Sequence, residues 1–295
     1  MGLDINAVQF LIAARKSGVE FGDVLTLGRQ DFNVYPAKMK ALLESHGFSG
    51  EAFAPGAPDT GFAEPVFKSL GAKNVYALDF SDFEGAQFVH DLNQPLPENL
   101  KQRFDIVYDG GTLEHVFNFP QALKNCMEMV KLEGRFMMHT PGNNWWGHGL
   151  YQFSPELFYR ALSSENGFEM ESMIAHLVGP YGRWFEVPDP DKLRARIEAI
   201  TFGPVQLLVR ARRVGVVPIF ARTPQQSDYS QRWENPDAAD AAVGMKRRAW
   251  TASRPKLASA LPGVARLFHV VKIGFRTYYN LSMRNRRNFR PVKRP

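Results

Sequence analysis

Cysteine is nearly missing from this chain, and acid is missing from one end of it. Among 295 residues the one cysteine is Cys126, which excludes a disulfide framework and points to a reducing compartment. No apolar run approaches the ~20 residues that a membrane-spanning helix needs. The first 18 residues, MGLDINAVQFLIAARKSG, have no basic leader ahead of their apolar part and carry Asp4 inside it. They are expected to form an amphipathic helix rather than a signal peptide, and the expected location is cytoplasmic. No set of His, Cys, Asp and Glu has zinc-ligand spacing, so no metal is expected. From residue 241 onward there are 14 Lys and Arg and no Asp or Glu, which leaves 22 basic against 30 acidic residues in the first 240. A mildly acidic body of 1–240 therefore carries a strongly basic extension, 241–295.

What is present is an alternation of strand and helix signals through the first 180 residues. DVLTL (23–27), NVYALDF (74–80), AQFVHDLN (86–93), RFDIVYDGG (103–111) and GRFMMHTP (134–141) read as strands. Between them, YPAKMKALLESHG, EPVFKSLGA and FPQALKNCMEMVKLEG read as helices, with prolines near their starts and glycines past their ends. The Gly/Pro-rich stretch 47–62 reads as an inserted loop. Two later runs, GFEMESMIAHLV and PVQLLVRARRV, suit an antiparallel edge. The pattern predicts a doubly wound, mostly parallel α/β sheet with helices on both faces. In such sheets ligands gather beyond the carboxyl ends of the strands. Polar residues stand at five such ends: Gly28-Arg29-Gln30, Asp79, Asp91, Asp109-Gly110-Gly111 and His139-Thr140-Pro141.

This order of strand-end residues resembles the class I S-adenosylmethionine-dependent methyltransferases, and in particular their small-molecule branch. The resemblance covers roughly residues 20–180 and is best in FDIVYDGGTLEHVFNFPQALKNCMEMVKLEGRFMMHTP (104–141). It implies S-adenosylmethionine as cofactor. It places Gly28 under the methionine part, Asp79 on the ribose hydroxyls, Asp91 and the backbone of Leu92 at the adenine, and Asp109 and Gly110 at the methyl-donor end. A carboxylate suits the ribose because it can accept two hydrogen bonds from a vicinal diol. The chain also departs from the pattern. Only Gly28 remains of the usual glycine-rich turn, followed by Arg29, Gln30 and Asp31, and extra side chains limit close approach to a ligand. Arg29 or Gln30 could instead hold the methionine carboxylate. Asp79 follows Gly28 by 51 residues rather than the roughly 20 typical of nucleotide-binding folds, and 47–62 accounts for the excess.

Methyl transfer to a hydroxyl benefits from a general base, and His115 in LEHV is the histidine best placed for it. The competing reading makes His115 a turn residue bonded to backbone. Trp145, Trp146, Asn143, Asn144 and His148 suit a polyhydroxylated acceptor, or else the tryptophans merely cap the sheet. The acceptor implied is a small molecule, a glycan or a lipid-linked sugar. Residues 260–283 read as a basic amphipathic helix, with Arg266, His269, Lys272 and Arg276 recurring every three or four residues, and 284–295 as a disordered cationic end. Such a tail could lie on an anionic membrane at the inner face, bind nucleic acid, or dock its apolar side on the sheet. The absence of an RNA-binding module argues against nucleic acid. An altered glycine loop beside such a tail also admits a non-catalytic, membrane-surface adaptor.

Overall fold

The computed structural model describes residues 2–58, 60–179, 182–234, 262–275, 278–279 and 281–295. The expected boundary at 240/241, the first part of the basic extension, the side chains of Arg266 and His269, and Arg276 lie outside the described residues.

The strands are β1 (Gly2–Leu3), β2 (Asp23–Leu27), β3 (Asp31–Phe32), β4 (Asn74–Asp79), β5 (Phe88–Val89), β6 (Phe104–Asp109), β7 (Val130–Asn143), β8 (Phe168–Leu177), β9 (Trp184–Glu186), β10 (Val205–Arg213) and β11 (Arg290–Val292). Nine of them form one sheet in the order β11-β9-β8-β10-β7-β6-β2-β4-β5. The five strands from β7 to β5 pair in parallel, whereas β10 runs antiparallel to both β7 and β8. This is a Rossmann-like, mostly parallel sheet with helices on both faces, as expected, with an antiparallel edge built from the two late runs.

Alternation along the central strands divides the core between two faces. Val24, Ile106, Tyr108, Met137 and Leu208 pack with helices α1 (Ile5–Lys16), α2 (Pro36–Ser45) and α3 (Glu64–Ser69). Leu25, Leu27, Val107, Phe136, Met138, Leu207 and Val209 point the other way, onto α4 (Phe119–Met129) and α5 (Pro155–Ala161). A shift of one residue exchanges faces because strand side chains alternate with period two, so the register is tightly specified. Two short helices, α6 (Pro190–Leu193) and α7 (Ser227–Glu234), precede α8 (Pro262–Phe275).

Several local expectations need correction. The N-terminal segment is helical, with the Asp4 carboxylate capping the amides of Asn6 and Ala7, but α1 is not one-sided. Seven of its residues are buried, Asn6 among them, and its apolar ones share a cluster with sheet residues such as Ile174 and Leu208 and with Met39 and Leu43 of α2 and Phe67 of α3. Of 86–93 only Phe88–Val89 is strand, since Asp91 and Asn93 fold the rest into a turn. Within 47–62, Glu51–Phe53 forms a turn of 3-10 helix that packs Phe53 on Phe32, and Phe62 bridges to Asp31. The cationic end is not disordered. Met283, Asn288 and Phe289 are buried, and β11 pairs antiparallel with β9. The apolar ring of Phe289, against Phe185, gives this otherwise charged segment something to bury.

Candidate active site

The carboxyl ends of β2, β4 and β6 converge on one cleft. Gly28 follows β2 with φ +68°, a left-handed conformation that glycine adopts without steric cost. Its amide donates to the carbonyl of Leu78 at 2.7 Å, which locks the turn to β4. A methyl group built on Gly28 would lie 3.5 Å from Thr112 Oγ1, 3.8 Å from Asp79 Oδ2 and 4.0 Å from Gln30 Nε2. At the end of β4, Asp79 Oδ1 accepts from the Phe80 amide at 2.6 Å, while Oδ2 faces the glycine. Thr112 closes the third side. Its hydroxyl donates to Leu27 O at 2.8 Å and its amide to Asp109 Oδ1 at 2.8 Å. An acceptor oxygen held over a side-chain-free floor is what a ribose diol needs, so these residues fit the nucleoside part of S-adenosylmethionine. The aromatic ring of Phe80, next in sequence to Asp79, is 73% exposed.

The remaining sequence candidates are placed differently. The Arg29 guanidinium donates to Glu64 Oε1 at 2.5 Å and Glu84 O at 3.1 Å and stacks 3.9 Å above the Phe62 ring. A ligand carboxylate would compete with Glu64 for it. Gln30 is buried, its amide donating to Leu27 O at 2.6 Å, and its side chain lies flat on Gly110. Asp91 Oδ1 accepts from the amide and side chain of Asn93, at 2.9 and 2.8 Å, and these bonds hold its carboxyl below the usual range. The Leu92 carbonyl accepts from Asn125 of α4 at 3.1 Å, so the Asp91–Leu92 turn is pinned to that helix.

Below the cleft lies a second cluster, which the segment LEHV and the loop after β7 bring together. Asp109 is fully buried. Its Oδ1 accepts from the amides of Gly111 and Thr112 while Oδ2 has no partner, and burial pushes its carboxyl up to about 6. Glu114 is also fully buried, with neither carboxyl oxygen hydrogen-bonded. Burial, followed by the charge of Asp109, pushes it up to about 8. His148 Nε2 stands 3.7 Å from Glu114 Oε1. The rings of His115 and His148 are 5.4 Å apart, and Trp145 meets His148 edge-on at 5.0 Å. Burial lowers both imidazole pKa values, with His148 adding to the shift of His115, so both rings are neutral at pH 7. Near this cluster Trp146 is 96% exposed, whereas Asn143 and Asn144 turn their amides inward to Thr201. The amide nitrogens expected to meet acceptor hydroxyls donate instead to the 199–203 loop.

Sequence reasoning missed Thr112, Glu114 and the gathering of Glu114, His115 and His148, whose ligand atoms all lie within 4.8 Å of one another. Spacing gave no metal signal because His148 comes from a loop 33 residues after His115. Only the adjacent Glu-His pair in LEHV was visible. His139, at the end of β7, is interior and stacks on His176 at 5.9 Å.

No family profile and no curated protein sequence matches the chain. Solved structures do resemble it. The 1,6-didemethyltoxoflavin-N1-methyltransferase of Burkholderia thailandensis, solved with its substrate and S-adenosylhomocysteine, shares 14% identity over 72% of this chain and 80% of its own, with a TM-score of 0.39. The trans-methyltransferase CalH shares 12% identity over 70% and 55%, with a TM-score of 0.37. The branched-chain polyamine synthase of Thermus thermophilus shares 14% identity over 75% and 61%, with a TM-score of 0.36. These are likenesses of fold.

Proposed function

We propose that this protein is an S-adenosylmethionine-dependent methyltransferase that methylates an oxygen of a small molecule, a glycan or a lipid-linked sugar. The observation that carries the reading is the convergence of Gly28, Asp79 and Thr112 at the carboxyl ends of β2, β4 and the β6 loop. When bound, the cofactor supplies an electrophilic methyl group on a sulfonium centre. The chain's own residues bind, orient and handle the proton. Asp79 Oδ2 takes the ribose hydroxyls, Phe80 offers a flat apolar wall, and Asp91 with Leu92 borders the adenine. Asp109 and Gly110 border the methyl-donor end. With no cation bound beside it, the exposed imidazole of His115, neutral at pH 7, takes the proton of the acceptor hydroxyl.

Isothermal titration of the full-length protein with S-adenosylmethionine and S-adenosylhomocysteine tests this. Micromolar binding is expected, weakened by about 10- to 100-fold in Asp79→Ala, the size of effect when a hydrogen bond to a charged group is removed. A folded wild type that binds neither at millimolar concentration would refute it.

A second reading, a non-catalytic membrane-surface adaptor, is favoured by one observation: Glu64 and Glu84 already hold Arg29, the side chain best suited to the methionine carboxylate. The same titration separates the two readings. Under either one the tail serves as a membrane contact, supported by the exposed apolar side chains of α8. Between the end of α8 and the 200–203 loop lies an apolar cavity of about 410 Å³ lined by Leu177, Ile200, Phe202, Tyr278 and Met283. Its lining suits the lipid part of an acceptor.

A further inference from the structure

We propose that Glu114, His115 and His148 form a binding site for one divalent first-row metal ion of the zinc class. Three of the polar atoms facing one another here are orphans: Glu114 Oε1, Glu114 Oε2 and His148 Nε2 are buried and accept or donate no hydrogen bond. A fully buried carboxyl with two unpartnered oxygens is costly, since each buried polar group without a partner loses its hydration uncompensated. A neutral packing role does not explain it, because a Leu or Met of similar volume would carry no such cost. A cation would satisfy one Glu114 oxygen and His148 Nε2 at once, leaving the other carboxyl oxygen to face the Thr140 hydroxyl.

The distances suit an ion better than a hydrogen bond. Glu114 Oε1 and His148 Nε2 are 3.7 Å apart, beyond hydrogen-bonding reach. In a tetrahedral site with bonds of ~2.1 Å, neighbouring ligand atoms lie roughly 3.4 Å apart. The full set falls within 4.8 Å, so a rotation of the exposed His115 ring completes it. The donors, two imidazoles and one carboxylate, are those that hold zinc and related ions while leaving a coordination position open.

The backbone prepares the site. The Glu114 carbonyl accepts from the amides of Leu150 at 2.8 Å and Tyr151 at 3.1 Å, which straps the His148 loop to the segment bearing Glu114 and His115. Trp145, anchored by its indole to Val205 O at 2.8 Å, packs on the His148 ring and limits its rotation. Such outer contacts orient metal ligands.

Ion binding stands apart from the cofactor, whereas its use rests on the function proposed above: an oxygen of the methyl acceptor would fill the open position. His115 is then a ligand, and the acceptor proton leaves to solvent rather than to the imidazole.

The test is titration of chelator-stripped full-length protein with Co²⁺, read by visible absorption and by Zn²⁺ competition, on wild type, Glu114→Gln and His148→Gln. The expected result is one Co²⁺ per chain, displaced by Zn²⁺, with affinity weakened at least ~10-fold in each variant. Absence of binding at about 1 mM Co²⁺, or affinity unchanged in both variants, overturns the proposal. If Glu114→Gln fails to fold, His148→Gln, altered in a surface loop, decides alone. Titration of the same preparations with S-adenosylmethionine shows separately whether the cofactor reading holds, so either site can fail without the other.

Discussion

At the scale of single residues, the cleft depends on what is left out as much as on what is present. A methyl group on Gly110 would overlap the Gln30 amide oxygen and come within 3.0 Å of the Tyr108 ring. Gln30 could not stay, and its buried amide would lose the carbonyls of Leu27 and Gly28. Gly110→Ala is therefore expected to cost on the order of 1–3 kcal/mol, from overpacking and a lost buried hydrogen bond. Most of that cost should vanish when Gln30→Ala is already present, because the clash and the stranded amide disappear together. Urea unfolding of the two single variants and the double variant measures the coupling, and strictly additive costs would show that Gln30 is not what Gly110 accommodates.

At the scale of elements, most of the sheet was legible from sequence because its central strands are short apolar runs bounded by turn residues. Val107 and Ile106 could belong only to a buried strand. Side-chain commitments were not legible. Nothing in the sequence shows that Arg29 turns to Glu64, that Asn143 and Asn144 serve Thr201, or that a histidine from the loop after β7 meets Glu114. Each depends on contacts between distant segments. The tail was half legible. Its helix appears as α8, but Phe289 and the β9 edge recruit the final residues into the sheet. Along α8 the apolar side chains of Leu267, Val270, Val271, Ile273 and Phe275 are each more than half exposed. The membrane contact proposed for the tail would combine apolar burial with cationic attraction, and such a contact selects an anionic bilayer surface. The full-length protein is thus expected to sediment with vesicles containing about 30% phosphatidylserine and not with neutral ones. Leu267→Glu/Val271→Glu should weaken that binding ~10-fold or more, since it removes two exposed apolar side chains that the bilayer would bury and adds two repelled charges. Equal binding of the variant would exclude α8 as the contact. Among the described residues, no helix is long and apolar enough to cross a membrane.

At the scale of the whole molecule, stability should fall in mild acid for an identifiable reason. His176, on β8 opposite Trp184 of β9, is fully buried and stacks on His139. Burial, then the neighbouring His139, pulls its imidazole down to about 4, against weaker upward pulls from the Leu177 carbonyl and Asp4, with Arg294 lowering it further. The folded state thus binds a proton less readily than the unfolded chain, whose histidine titrates near 6.5. Stability is complete above pH 6.5 and declines as pH falls toward 4, by up to about 3 kcal/mol from this residue. Buried His139, also lowered, acts in the same direction. Asp4, held below the usual carboxylate range despite its burial, by His139 and the Ala7 amide, loses its contribution only at lower pH. Unfolding free energies at pH 7.5 and 4.5 should differ less in His176→Gln than in wild type, and an unchanged difference would assign the acid sensitivity elsewhere. A last consequence concerns the two margins of the sheet. One ends in the two-residue β5, the other in the three-residue β11, which carries Arg290 and Pro291 and is followed by Lys293 and Arg294. Proline offers no amide to a further strand, and neighbouring like charges repel a second copy. The cationic terminus thereby guards the β11 margin of the sheet against edge-to-edge pairing of copies, so two chains brought side by side at that margin find charge where a free strand edge would be.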